Sequence, residues 1–122
     1  MKHELFEKKV MEKLLVGTDK YLEQLRNQHV TAEITSREFT GHGFFTKFKI
    51  DNGLSPYKFN GRIDDVVAKF VDPLEVEYFI LYITDGEIDT LEGFSTLNEW
   101  NDNYADANIE YCYTDKREYE LN

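Results

Sequence analysis

Long apolar runs are missing from this chain. The longest, residues 78–83, spans six residues, far short of the ~20 that a helix needs to cross a bilayer. The N-terminus, Met-Lys-His-Glu-Leu-Phe-Glu-Lys-Lys, lacks the apolar core of a secretory signal. Cysteine is nearly absent. Cys112 stands alone, which excludes an intramolecular disulfide and leaves no cysteine framework for structural zinc. These absences together lead us to expect a cytoplasmic protein. Positive charge is missing from residues 70–115, which hold twelve acids and not one Lys or Arg. A grip on nucleic-acid phosphates needs clustered cations, and an anionic membrane repels such a surface, so neither is expected as a partner. Motifs are missing too: there is no Gly-x-Gly-x-x-Gly, phosphate loop, His-Glu-x-x-His or Gly-x-Ser-x-Gly. No cofactor, metal or catalytic residue is expected from the sequence.

What is present suits one compact domain. The 122 residues are enough to bury a core without staples, and nine Phe and eight Tyr favour β structure. Net charge is −10, unevenly spread: residues 1–62 carry 11 Lys/Arg and 8 Asp/Glu, whereas residues 63–122 carry 3 and 16. Such an acidic half is a solvated surface, an attractor of cations, or a face for a basic protein.

Residues 1–28 read as helical. Leu5, Phe6, Val10 and Leu14 recur at helical spacing. Gly17 ends that helix, and Thr18 or Asp19 caps a second one running to about residue 28. Residues 30–114 are β-rich. Strands are expected at 30–39 and 44–50 across a Gly41-His42-Gly43 tip, and at 64–70, where a short helix is the alternative. Residues 75–84 form the strongest strand, apolar on both faces and therefore central. Asp85-Gly86 signals a two-residue hairpin, and the poor alternation of residues 87–95 calls for a bulge or kink near Asp89 and Thr90, or for an early end of the strand at Gly93. A last strand is expected at 108–114, followed by a charged tail, 115–122, prone to fraying. The fold class is α+β: two N-terminal helices on a mainly antiparallel sheet of about five or six strands.

Few residues stand out as candidate contacts. In "SREFTGHGFFTKFKI" a loop at Gly41-His42 suits a type II′ turn, and one at His42-Gly43 a type I′ turn. Both registers place Arg37 on the Phe39, Phe44 and Phe48 face, where a guanidinium needs a carboxylate, a carbonyl or a ligand. The second also sets Glu38 opposite Lys47. His42 has no local partner for chemistry and reads as a turn residue. Asp85, Glu87 and Asp89 lack calcium-loop spacing and read as a solvated hairpin edge. Glu92, beside the expected bulge, is a candidate partner for Arg37. Trp100, among Glu99, Asp102 and Tyr104, either anchors back onto the core or is an interface hot spot.

The segments "REFTGHGFFTKF" and "DGEIDTLEGFS" resemble a group of small bacterial proteins. In these a Phe-Thr-Gly-x-Gly-Phe-Phe-Thr hairpin precedes an Asp-Gly-x-Ile-x-x-Leu-Glu-Gly hairpin. The resemblance covers mainly residues 36–50 and 78–95. It implies a shared fold with Arg37, Glu38 and Glu92 as recurrent features, and it carries no chemistry across. The functional expectation is an acidic protein-binding domain, in concrete form an immunity protein that neutralises a basic toxin. The alternative is a small-anion-binding or enzymatic domain with Arg37 and Glu92 in one cleft.

Overall fold

Apolar spacing and capping set the two helices. The computed structural model describes residues 2–97, 99–113, 117 and 119–121. Helix α1 (His3–Leu14) buries Phe6, Val10, Met11 and Leu14 on one stripe. Helix α2 (Lys20–Thr31) starts at Asp19, whose side chain accepts from the Leu22 amide at 2.8 Å, and buries Leu22 and Leu25. It runs three residues beyond the expected end near residue 28. Strand β1 (Glu33–Phe39) therefore begins later than the expected residue 30.

The remaining strands are β2 (Gly43–Lys49), β3 (Gly61–Lys69), β4 (Val76–Thr84), β5 (Glu87–Ser95), β6 (Asn108–Tyr111) and β7 (Tyr119–Leu121). They form one sheet in the order β1-β2-β5-β4-β3-β6, antiparallel throughout, with β7 also on β3. This is the expected α+β architecture, with both helices on one sheet face. Residues 61–69 are strand, not helix. The tail is partly tied down: β7 pairs with β3, and Arg117 donates to Asp65 and to the Leu14 and Val16 carbonyls at the end of α1. The expected fraying of residues 115–122 otherwise falls partly outside the described residues.

Two local devices set register. Asp85 (φ 56°) and Gly86 (φ 75°) both take the left-handed conformation of a type I′ turn. A Cβ on Gly86 would sit 2.0 Å from the Tyr57 carbonyl oxygen, so only glycine fits there. Buried Gln28 holds this hairpin beneath α2: its amide donates to Gly86 O (2.7 Å) and accepts from Ile88 N (2.9 Å). Tyr82 pairs with Thr90 and Ile83 with Ile88, leaving Asp89 as the extra residue of the expected bulge. That bulge brings Ile88 and Leu91 to the same side, where both are buried.

Among the described residues, no helix is long and apolar enough to cross a membrane. Helix α1 packs against β3 and β6, and α2 against β5. Strand β1 lies at the edge of the sheet and is exposed along almost its whole length.

Candidate partner-binding site at the loop end of the sheet

Arg37 reaches across the end of the sheet to α1. Its Nε and Nη2 donate to Glu7 Oε2 (3.1 Å) and Oε1 (2.9 Å), a two-pronged pair whose Glu side chain is only 4% exposed. Thr46 Oγ1 donates to the same carboxylate at 2.7 Å, and His3 Nε2 lies 3.1 Å from it. From His3 the chain of bonds continues: Nδ1 is 2.7 Å from Tyr104 Oη, which accepts from Trp100 Nε1 at 3.1 Å. One network thus joins α1, the β1–β2 hairpin and the segment before β6. Burial alone would raise the Glu7 pKa, but hydrogen bonds from His3, Arg37 and Thr46 outweigh it and hold the pKa down at about 2. The Glu7 carboxylate keeps Arg37 above its ordinary range in turn.

The hairpin takes the first of the two expected registers, with Gly41 (φ 88°) and His42 between paired residues Phe39 and Phe44. Glu38 therefore faces Phe45, and Ser36, not Glu38, is opposite Lys47. A bulge between Ile34 and Ser36 turns Ile34 to the Arg37 side, opposite to the face that strict alternation assigns it. Ile34, Phe48, Val30 and Arg37 then line a groove of about 780 Å3 between the hairpin and the helices. Charges around that groove balance: Glu4, Glu7 and Glu12 against Lys8, Arg26 and Arg37.

Glu92 does not meet Arg37. It pairs with Ile80 and Phe45 on the outer sheet face and accepts from Tyr82 Oη at 2.9 Å, whereas Arg37 is on the helix side. Glu38 and His42 are exposed.

The third group of expected residues gathers at one end of the sheet. Trp100 N donates to Gly41 O (2.8 Å), and Ser95 N to His42 O (2.9 Å), tying the hairpin tip to the β5–β6 connection. Thr96 joins that connection to the one between β3 and β4. Its Oγ1 donates to Leu74 O (2.9 Å) and accepts from Val76 N (3.1 Å). Asn101 Nδ2 adds a bond to Glu75 Oε1 at 2.8 Å. Three connections far apart in sequence therefore form one surface. It presents exposed Asp72, Glu99, Asp102 and Asp106 together with Val71 (92% exposed), Leu74 (74%) and Phe39 (58%). Lys69, at the end of β3, is paired with Glu110 at 3.6 Å.

Trp100 anchors onto the core, edge-on to Phe44 (5.4 Å) and Phe79 (6.2 Å). Tyr104 is buried and stacks on Phe6 at 4.3 Å. Beneath them lies Glu77, fully buried, with neither carboxyl oxygen hydrogen-bonded among the described residues. Burial pushes its pKa up to about 8, reinforced by Glu75 and Asp102, while the backbone N–H of Asn101, close by but outside hydrogen-bonding geometry, pulls the other way without offsetting it.

Sequence reasoning missed His3, Glu7, Thr46 and Glu77. Strand parity is a usable signal for the last: Glu77 shares its face with Phe79, Leu81 and Ile83. Among the described residues, no His, Cys, Asp and Glu group is arranged to hold a metal ion. No family model, curated protein or solved structure matches the chain.

Proposed function

We propose that this chain is a protein-binding domain that captures a basic protein through the loop end of its sheet, as an immunity protein captures a basic toxin. The observation that carries this reading is the convergence of Asp72, Glu99, Asp102 and Asp106 with exposed Val71, Leu74 and Phe39 on one surface. Protein interfaces draw affinity from apolar groups and steering from charge, and this end of the sheet exposes both. A net charge of −10 raises the encounter rate with a cationic partner and lowers it with an anionic one. The small-anion alternative is weaker on the same grounds. Arg37 is occupied by Glu7, Glu92 is on the other face, and the charges around the 780 Å3 groove cancel.

The test is association with basic proteins of the source organism by surface-immobilised capture. One partner should bind with an on-rate that falls at least tenfold between about 20 and 300 mM salt, as steered encounters do. The double variant Glu99→Lys, Asp102→Lys should slow association further. Retention of no basic partner at low salt sinks the reading.

A further inference from the structure

At the loop end of the sheet lies a recess of about 330 Å3 lined by His3, Phe39, Trp100, Asp102 and Tyr104. Its size is at the lower limit of small-molecule sites, about 300 Å3, room for one long side chain. Phe39, Trp100 and Tyr104 make up three of the five lining residues, and rings of these types attract cations.

The polar atoms of those rings are already engaged. Trp100 Nε1–H is given to Tyr104 Oη, Tyr104 Oη also meets His3 Nδ1, and His3 Nε2 meets Glu7. What remains for an incoming group is the exposed ring of Phe39, the open part of the half-buried Trp100 ring and the exposed carboxylate of Asp102, Tyr104 being buried against Phe6. The rings are also pinned. His3 is held edge-on by Phe39 (5.0 Å) and Phe44 (4.5 Å), and Trp100 by Phe44 and Phe79. A recess ordered before binding loses little entropy when filled. An anionic ligand would meet Asp102 here in a chain of net charge −10.

We propose that this recess receives one protruding Lys or Arg side chain of the basic protein partner, its cation against the rings and paired with Asp102. This inference rests on the protein-binding reading and gives it a specific anchor. Arg suits the site better than Lys, because a planar guanidinium stacks on aromatic faces and is less strongly hydrated.

Trp100 is the sole tryptophan, so its fluorescence reports on the recess directly. The probes are N-acetyl-argininamide, N-acetyl-lysinamide and the uncharged citrulline analogue of the first, titrated at low salt. The expected result is a saturable Trp100 response to the two cations, stronger for the arginine probe, and none to citrulline. Asp102→Asn should weaken it about fivefold, the size an exposed charge pair supports. Phe39→Ala, at an exposed position that leaves the core intact, should weaken it as well. An equal response to citrulline, or affinities unchanged in both variants, overturns the inference. The two proposals fail separately. A captured basic partner whose affinity ignores Asp102→Asn and Phe39→Ala removes the recess as anchor and leaves the protein-binding reading. Probe binding without any basic partner does the reverse.

Discussion

Glu77 is a carboxyl group in the position of a core residue. It follows the alternation of β4 into the core, where Phe79, Leu81 and Ile83 are its same-face neighbours. With no hydrogen-bond partner among the described residues and a pKa near 8, it keeps its proton when folded at neutral pH. The unfolded chain ionises at its ordinary value, 4.5. The folded state thus binds more protons between those values, so stability contributed by Glu77 is present below pH 4.5 and lost as pH rises toward 8. Glu77→Gln, which cannot ionise, should be as stable as the parent at pH 4.5 and more stable at pH 8, by about 2–4 kcal/mol. Urea denaturation at both pH values checks this, and a gain of equal size at the two would refute it. Strand parity makes the burial of Glu77 legible in the sequence. Its lack of a partner is not, because that depends on the loop carrying Asn101 and Asp102.

At the scale of elements, the Glu7–Arg37 pair helps dock the β1–β2 hairpin to α1, with Thr46 on the same carboxylate. Strand β1 is exposed apart from half-buried Arg37, so besides this pair the hairpin meets α1 through the His3 ring, which packs on Phe39 and on buried Phe44. Arg37→Ala leaves Glu7 buried with Thr46 and His3 alone, and should cost about 2–3 kcal/mol, less than a fully buried pair because Arg37 is part-exposed. Arg37→Lys keeps the charge without the two-pronged geometry and should fall between. Adding Glu7→Gln to Arg37→Ala should recover part of the loss, since the stranded charge is gone. A double-mutant cycle with no coupling would discount the pair. The sign of the pH dependence follows from Glu7, whose folded pKa is about 2 against 4.5 unfolded. Its contribution is present above pH 4.5 and lost as pH falls toward 2. The sequence places Arg37 on the Phe-rich side in either register and so predicts that it needs a partner. The partner is 30 residues away on another element, and nothing in local spacing points to Glu7 rather than Glu92. The bulge that turns Ile34 inward is equally invisible, because a bulge at Thr35 leaves no Gly or Pro to mark it.

For the whole molecule, charge is the dominant property. At net −10 the folded chain repels itself, most strongly once its carboxyls are ionised, and salt screens this over about 8–10 Å at 0.1–0.15 M. Raising NaCl from about 20 to 300 mM at pH 7.5 should therefore raise Tm by a few degrees. A Tm that falls across that range would mean that the ion pairs lost to screening outweigh the repulsion relieved.

The amino-acid sequence by itself determined the two helices, most of the strands, the Asp85-Gly86 turn and the α+β class, and it marked the irregularity near Asp89 that the structure shows to be a bulge. Each follows from chemistry within about ten residues of chain. It also determined that residues 70–115 are uniformly acidic. Only the tertiary structure decided what those acids form. Strand order brings three hydrogen-bonded connections to one end of the sheet, where Asp72, Glu99, Asp102 and Asp106 and also Val71, Leu74 and Phe39 are exposed, and forms a recess lined in part by Trp100. It separated Arg37 from Glu92 by the thickness of the sheet and joined it to Glu7. Side chains meet by strand order and helix placement, which are properties of the whole packed chain, and spacing along the sequence does not encode them.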